Sequence, residues 1–263
     1  MITDRPNPLR ERLARGPVFG AALFAWSSNV ADVAGAAGLD FVRFDTEHAW
    51  RRDDLLDNMV RAAWLAGATP MIRVDRDDPL LVRKALEIGA GAVLVSDIRT
   101  AAEAAVVARA AKFPPAGTRG YSGNCFAGGW ATTSPPDWIA WSNREPLVGV
   151  MIEHPDAVAA VDDIVATPGL DFVYFGPGDY SVAIGLPGPA RRDSRVEAAM
   201  TRTIAAARAA GLHAVANGGG DGSDAARMIA LGADIIEFGN DISALGSAWK
   251  AARQRAGAAG PSA

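Results

Sequence analysis

The chain has 263 residues, 49% of them hydrophobic and 21% charged, a length and composition typical of one large domain with a single core. A formal net charge of −4 and a pI near 5.4 provide no basic surface, which argues against nucleic acid or an anionic membrane as a partner. The single cysteine, Cys125, excludes an internal disulfide. The first residues lack an apolar signal core and no apolar run approaches about 18 residues, so we expect a cytoplasmic protein that acts on small molecules.

The sequence alternates between eight short apolar runs and alanine-rich segments with helical character. Such alternation predicts strand–helix units on a parallel sheet. The predicted strands are, in chain order, 18–24, 41–44, 70–74, 92–95, 147–152, 172–175, 213–216 and 235–238. Helices are predicted between them, among others at 53–66, 79–88, 101–112 and 198–210.

Eight such units predict a (β/α)8 TIM barrel, which we expect to occupy residues 1–256 as a single domain. A doubly wound open sheet is the alternative. It is disfavoured because no glycine-rich dinucleotide fingerprint follows the first strand. Residues 257–263, rich in alanine and glycine, are predicted to form a flexible tail.

One stretch, residues 113–143, interrupts the alternation with many glycines and prolines. We interpret it as a long loop that contains a short helix at most. One expectation places this loop over the active-site face, where it would cover substrate. The alternative is an insertion that packs between subunits, and Trp130, Trp138 and Trp141 suit either role.

Two carboxylates stand where consecutive predicted strands end, because Glu153 closes the fifth strand and Asp179 follows the sixth. Barrel enzymes build their sites at the carboxyl ends of the strands, and two acids with waters are a common magnesium or manganese site. Strand alternation places Glu153 on the same face as Met151, which points it into the barrel mouth. The alternative roles are helix capping for Asp179 and pairing with an arginine for Glu153.

Other polar side chains at the strand ends are candidates for proton transfer and substrate binding. His48 follows Asp45 by three residues, close enough for the carboxylate to orient the imidazole of a general base. Arg73 ends the third strand, where its guanidinium fits a substrate carboxylate or a developing enolate oxygen; Asp45 or Glu47 is its alternative partner. Trp26 and Ser181 also follow strands.

The placement of the remaining charges excludes one mechanism and predicts one internal contact. By alternation Arg43 and Glu237 both face the barrel interior, and we predict an ion pair between them. The lysines at 84, 112 and 250 fall in or near predicted helices, so none stands where a Schiff base could form. Activation of a carbonyl substrate therefore requires a metal.

Several ordered motifs resemble one known family. They are FDTEH at 44–48, IRV at 72–74, KALEIGA at 84–90, FPPAGTRG at 113–120, IE at 152–153 and TPGLDFVYFGPGD at 167–179. From about residue 20 to 249 the chain is similar to the HpcH/HpaI aldolases, the metal-dependent class II pyruvate aldolases. The resemblance implies a (β/α)8 barrel of the phosphoenolpyruvate/pyruvate-domain type, commonly a hexamer whose subunits exchange the last helix.

The resemblance also implies an activity and a set of site residues. The implied activity is a lyase that reversibly cleaves a 4-hydroxy-2-oxo acid to pyruvate and an aldehyde through a metal-stabilised enolate. It assigns Glu153 and Asp179 to a divalent cation (Mg²⁺, Mn²⁺ or Co²⁺), and His48 with Asp45 to the acid–base dyad. It assigns Arg73 to the pyruvate oxygen, and Trp26, Gly178 and Ser181 are the further candidates for substrate contacts.

Departures from the family pattern keep other functions open. Met151 stands where many members have glutamine, Trp50 replaces a smaller residue, and the sequence at 121–130 differs. These changes leave an oxaloacetate decarboxylase, or a related enzyme that forms carbon–carbon bonds, as the alternative. A third possibility is a non-catalytic barrel that binds metabolites.

Overall fold

A computed structural model describes residues 2–48 and 53–258 of the chain. Eight parallel strands form a closed barrel in which neighbours in sequence are neighbours in space and β8 pairs with β1. The strands are β1 Val18–Leu23, β2 Phe41–Asp45, β3 Thr69–Val74, β4 Ala92–Val95, β5 Leu147–Ile152, β6 Phe172–Phe175, β7 His213–Asn217 and β8 Ile235–Asn240. The eight predicted strands and the predicted barrel are confirmed.

Helices surround the barrel and connect its strands. They are α1 Pro8–Leu13, α2 Ser28–Ala36, α3 Asp53–Leu65, α4 Pro79–Glu87, α5 Ala101–Ala111, α6 Pro135–Arg144, α7 Pro155–Ala159, α8 Val161–Val165, α9 Pro177–Ala183, α10 Ser194–Ala209, α11 Ala225–Ala230 and α12 Asp241–Ala258. Side chains fix several helix starts; for example, Thr100 and Glu103 form a capping box on α5. Within the described ranges, no helix combines the length and apolar character needed to cross a membrane. A cytoplasmic location stays a prediction.

The strand side chains separate into two buried layers, as their alternation requires. On β5, Val148, Val150 and Ile152 pack outward against the helices, whereas Leu147 and Met151 pack inside the barrel. The apolar interior cluster consists of Leu9, Leu13, Val18, Phe41, Met71, Ala92, Leu94, Leu147, Met151, Phe172, Tyr174, Val215 and Ile235. Because its α1 members pack against the first residues of the strands, α1 closes the N-terminal end and leaves the opposite end for a site.

The segment 113–143 differs from its prediction in two ways. It contains the ten-residue helix α6, because Ser134 caps the helix and Pro135 and Pro136 occupy the first turn, where proline is tolerated. The middle of the segment lies beside α4 rather than over the strand ends: the Ala127 N–H donates to the Glu87 carbonyl at 3.1 Å. A connection from a helix to the next strand starts at the N-terminal end of the barrel. These contacts therefore do not place the middle of the segment over the active-site face.

The predicted flexible tail also needs a correction at its start. Helix α12 continues through Ala258, so residues 257 and 258 are helical. Alanine has the highest helix propensity, and the alanine-rich sequence continues the helix into the segment predicted as a tail. Residues 259–263, like Trp50, lie outside the described residues.

Candidate active site

Glu153 lies at the carboxyl end of β5 and faces the barrel mouth. Its side chain is 3% exposed. Oε1 accepts a 2.8 Å hydrogen bond from the Asp97 N–H, whereas buried Oε2 has no hydrogen-bond donor among the described residues and lies 3.8 Å from Arg73 Nη2. Burial raises the pKa of Glu153 to about 7; Arg73 and the Asp97 N–H oppose this rise, and the charges of Asp179 and Glu47 add to it.

The β6–α9 junction provides the second carboxylate and the space for the first. Asp179 is exposed in the first turn of α9, whose N-cap is Gly176, so Asp179 does not cap this helix as the alternative role required. A Cβ on Gly176 would lie 2.5 Å from Glu153 Oε2 and 2.7 Å from Glu153 Cβ. Glycine is therefore required at 176 for β6 to turn past the Glu153 carboxylate.

Arg73 is buried among several polar groups at the mouth. Nε donates to Ser96 Oγ at 3.0 Å, Nη1 donates to Asp45 Oδ2 at 3.1 Å, and Nη2 forms an ion pair with Glu47. Ser96 Oγ in turn donates to Glu47 Oε2 at 2.8 Å. Both alternative partners of Arg73 are therefore used, and its Nη2 still faces Glu153 at the mouth.

The expected contact between the Asp45 carboxylate and the His48 imidazole is absent from the structure. Asp45 Oδ1 instead accepts the backbone N–H of His48 at 2.9 Å and of Glu47 at 3.2 Å. The three-residue offset closes a turn, in which an aspartate bonds to following N–H groups rather than to a side chain. The His48 ring is half-exposed, with Nε2 at 3.7 Å from Glu47 Oε2.

The predicted ion pair inside the barrel is confirmed. Arg43 Nε donates to Glu237 Oε2 at 2.6 Å and Nη2 donates to Oε1 at 3.0 Å. Arg43 Nη1 also donates to Asp45 Oδ2 at 2.7 Å. Burial works against ionisation of both Arg43 and Asp45. The charges of Arg43 and Arg73 nevertheless lower the pKa of Asp45, and the charges of Glu237 and Asp45 raise the pKa of Arg43.

The other predicted substrate contacts have different outcomes. Trp26 is half-buried, and its buried Nε1 has no hydrogen-bond partner among the described residues. A Cβ at Gly178 would meet no atom within 4 Å, which leaves open space there. Ser181 is not available, because its hydroxyl donates to the Pro177 carbonyl at 2.5 Å and accepts the Ala190 N–H at 3.1 Å. A side chain four residues into a helix turns back to the preceding turn.

Two site residues have roles that the sequence does not predict. Glu47, an alternative partner of Arg73 in the sequence, bonds to both Arg73 and Ser96. Asp97 acts through its backbone, which has a φ of 46° and directs its N–H to Glu153. Aspartate tolerates this left-handed region better than most residues, but the sequence gives no sign of the N–H direction.

The residues at the mouth fit a divalent cation. Within residues 2–48 and 53–258, no group of three or more His, Cys, Asp or Glu side chains is arranged to hold a metal. Two carboxylates do lie near each other at the mouth, because the charge of Asp179 contributes to the raised pKa of Glu153. A magnesium-type ion is commonly held by one or two carboxylates with waters and substrate oxygens. The unsatisfied, buried Oε2 of Glu153 is the atom that such an ion would satisfy.

Comparison with known proteins defines the class to which this fold and site belong. The family model described as HpcH/HpaI aldolase/citrate lyase matches residues 21–248. The chain belongs to this family. It is 32% identical to a hydroxypyruvate/pyruvate aldolase of Paraburkholderia phytofirmans, covering 88% of this chain and 92% of the relative. It is 31% identical to a 2-keto-3-deoxy-L-rhamnonate aldolase of Klebsiella pneumoniae, covering 89% of this chain and 87% of the relative.

Solved structures agree with this assignment. An HpcH/HpaI aldolase/citrate lyase family protein from Burkholderia cenocepacia has a TM-score of 0.87 and 32% identity, covering 95% of this chain and 99% of its own. The citrate synthase SbnG has a TM-score of 0.88 and 26% identity, covering 97% of this chain and 99% of its own. Structures similar in shape to this chain are therefore named for different reactions.

Proposed function

We propose that the protein is a divalent-metal-dependent lyase that reversibly cleaves a 4-hydroxy-2-oxo acid to pyruvate and an aldehyde. The observation that carries this proposal is the buried Glu153 Oε2, which lies at the barrel mouth near Asp179 and Arg73 and lacks a hydrogen-bond donor in the described part of the chain. The names of the two aldolase relatives support a 2-oxo acid substrate.

In this proposal Glu153 and Asp179 hold Mg²⁺, Mn²⁺ or Co²⁺. When bound, the cation supplies a Lewis acid that polarises the 2-oxo group of the substrate. The Asp97 N–H keeps Oε1 of Glu153 in place and leaves Oε2 for the ion. None of the three lysines, at 84, 112 and 250, stands at a strand end, so the mouth has no residue for Schiff-base chemistry.

Arg73 and His48 have separate roles in the proposed reaction. Arg73 Nη2 faces the mouth beside Glu153 and would stabilise negative charge that develops on the 2-oxo oxygen. The half-exposed imidazole of His48 can reach a substrate or a water and would move the proton of the 4-hydroxyl group. Asp45 fixes the backbone of His48 and does not contact its ring, so we assign it to positioning.

A second function is favoured by one comparison. The structural likeness to the citrate synthase SbnG favours a related enzyme that forms carbon–carbon bonds and takes oxaloacetate as its 2-oxo acid. Such an enzyme would add an enolate to the 2-oxo carbon of oxaloacetate, or would release CO2 from oxaloacetate to leave the enolate of pyruvate. The same residues would serve both reactions, so only the substrate distinguishes them.

One panel of assays tests the proposal and its alternative. The protein, supplemented with Mg²⁺, Mn²⁺ or Co²⁺, is incubated with pyruvate and a series of aldehydes, and separately with oxaloacetate. Aldol products that form only with a divalent ion support the aldolase. Pyruvate release from oxaloacetate without any aldol product would favour the alternative, and no turnover of either would contradict both.

We further propose that the chain works as a homo-oligomer, a hexamer by family resemblance. In support, residues 242–250 of α12 are all exposed. Three of them are large and apolar, with exposures of 55% for Ile242, 44% for Leu245 and 70% for Trp249. They lie on one side of the helix at a spacing of three and four residues, which is typical of a face that packs against another element.

A further inference from the structure

A continuous series of hydrogen bonds connects the barrel centre to the mouth. The Tyr174 hydroxyl donates to Glu237 Oε1 at 2.9 Å, and Arg43 binds both oxygens of Glu237. Arg43 then bonds to Asp45, and Asp45 accepts a hydrogen bond from Arg73. Tyr174, Glu237 and Arg43 lie below the residues of the proposed function and take no part in it.

The key atom of this series is Asp45 Oδ2, which two guanidinium groups share. Arg43 Nη1 lies at 2.7 Å from it and Arg73 Nη1 at 3.1 Å. The other carboxylate oxygen, Oδ1, is already used by the backbone N–H groups of Glu47 and His48. Arg73 can therefore make only one hydrogen bond to Asp45.

Removal of Arg43 would change this arrangement. An arginine beside a carboxylate prefers to make two hydrogen bonds to it rather than one. Without Arg43, Asp45 Oδ2 could accept from Nη2 of Arg73 as well as from Nη1, and this oxygen would compete with Glu47 for Nη2 and draw it away from Glu153. Arg43 prevents this because Glu237 holds it with two hydrogen bonds and Tyr174 holds Glu237.

The burial of Arg43, Glu237 and Asp45 keeps water away from the hydrogen bonds among them. The side chains of Arg43 and Glu237 are 6% and 3% exposed, and that of Asp45 is fully buried. Water cannot replace a partner at this depth, so each charged group keeps the bonds that the structure gives it. The direction of Arg73 is thus set from below the site.

We propose that Arg43 and Glu237, supported by Tyr174, are positioning residues that keep Arg73 Nη2 directed at the substrate by occupying Asp45 Oδ2. The inference rests on the proposed function, because it concerns the oxygen that Arg73 stabilises. It adds three residues that neither contact the substrate nor hold the cation.

The test removes the whole group without leaving a buried charge unpaired. A triple variant, Arg43→Met with Glu237→Leu and Tyr174→Phe, replaces the three side chains by apolar ones of similar size, a change that buried ion pairs often tolerate. The readout is exchange of the methyl protons of pyruvate in the Mg²⁺- or Mn²⁺-loaded protein. We expect kcat to fall roughly 10- to 100-fold, and KM for pyruvate to change far less, because Arg73 acts on charge that develops in the transition state.

The same triple replacement is then made in an Arg73→Lys background. If the group acts through Arg73, it should lower kcat there by less than about twofold, because the residue that it positions is already lost. Arg10→Met is the control; it breaks the 2.7 Å ion pair with Asp171 at the N-terminal end and should leave exchange unchanged. Should the triple variant fail to fold, Arg43→Lys and Glu237→Gln are carried through the same cycle.

Two results would overturn the inference: a kcat within twofold of wild type in the folded variant, or a full additional loss in the Arg73→Lys background. Either result would leave the proposed function intact as long as the wild-type protein exchanges the protons. An inactive wild-type protein would instead contradict the proposed function itself.

Discussion

The charged residues inside this barrel differ in how completely they are paired. Arg43, Asp45 and Glu237 are buried with short bonds to one another. Glu153 is equally buried, but one of its oxygens has no donor among the residues that the structure describes. Burial that outweighs the nearby charge of Arg73 makes this carboxylate hold its proton more tightly than it does in water. This difference separates a carboxylate that maintains the barrel from one that can accept a ligand.

The free carboxylate of Glu153 predicts how metal-free stability depends on pH. Its pKa is about 7 in the folded chain against 4.5 in the unfolded chain, so the folded state binds the proton more tightly. The contribution to stability is therefore complete below about pH 4.5 and is lost as the pH rises through 7. We expect the metal-free protein to lose about 3 kcal/mol over this range relative to Glu153→Gln, as measured by urea unfolding with a chelator.

Glu145→Gln is the matched control for that measurement. Glu145 is also buried, but it lies at the opposite end of the barrel, where its Oε2 accepts the Asn7 N–H at 2.8 Å and its Oε1 accepts from Arg144. This variant should keep the pH dependence of the wild type. Identical pH dependence in wild type and Glu153→Gln would show that burial does not raise the pKa of Glu153 in the folded protein.

Truncation of Arg43 inside the barrel should destabilise the protein by leaving a paired carboxylate without its cation. Arg43→Ala leaves Glu237 buried without its cation, and we expect the free energy of unfolding to fall by about 3–5 kcal/mol. Denaturant unfolding at neutral pH measures this change. A near-neutral effect would mean that Glu237 does not depend on Arg43 in the barrel interior, which would contradict the importance assigned to the ion pair.

At the scale of single elements, the β6–α9 junction sets the position of Glu153. The close approach of Gly176 to the Glu153 carboxylate leaves no space for a Cβ. Gly176→Ala should displace the carboxylate and weaken binding of Mg²⁺ or Mn²⁺ by roughly 10- to 100-fold, as losses next to metal ligands commonly do. Titration calorimetry with the metal alone measures the affinity.

Gly220→Ala provides the comparison for Gly176→Ala. A Cβ at Gly220 would meet no atom within 4 Å, so the metal affinity of this variant should equal that of the wild type. Equal affinities for all three proteins would contradict the view that Gly176 makes room for a metal ligand.

The elements also show what the sequence could and could not predict. The strands were predictable because alternation and β-branched residues are local signals, and the inward direction of Arg43, Glu237 and Glu153 follows from the same alternation. Helix α6 is longer than the short helix predicted for this segment, because its proline pair occupies the first turn and does not break the helix. The bonds of Asp45 and Ser181 could not be predicted, because each depends on a choice between backbone and side-chain partners that only the folded geometry decides.

At the scale of the whole molecule, α12 is difficult to explain in an isolated chain. Its carboxylate at Asp241 holds the N–H groups of Phe24 and Ala25, but the helix beyond it is largely exposed, and an 18-residue helix gains little stability without tertiary packing. We expect Leu245→Asp with Trp249→Asp to shift the assembly toward the 27.3 kDa of one chain in light scattering.

Ser247→Asp is the control for that experiment, because position 247 lies on the side of the helix opposite to Leu245 and Trp249. It should leave the assembly unchanged. A wild-type mass of one chain would contradict the oligomer directly, and equal masses for both variants would move the contact away from this face.

The central claim is that Glu153 and Asp179 hold a divalent ion which makes pyruvate reactive. The most direct measurement follows exchange of the methyl protons of pyruvate by NMR, in protein stripped with a chelator and then reloaded with Mg²⁺ or Mn²⁺. We predict exchange in the reloaded wild type, none in the stripped protein, and neither metal retention nor exchange in Glu153→Ala or Asp179→Ala. Undiminished exchange in the stripped protein, or in both variants, would contradict the claim.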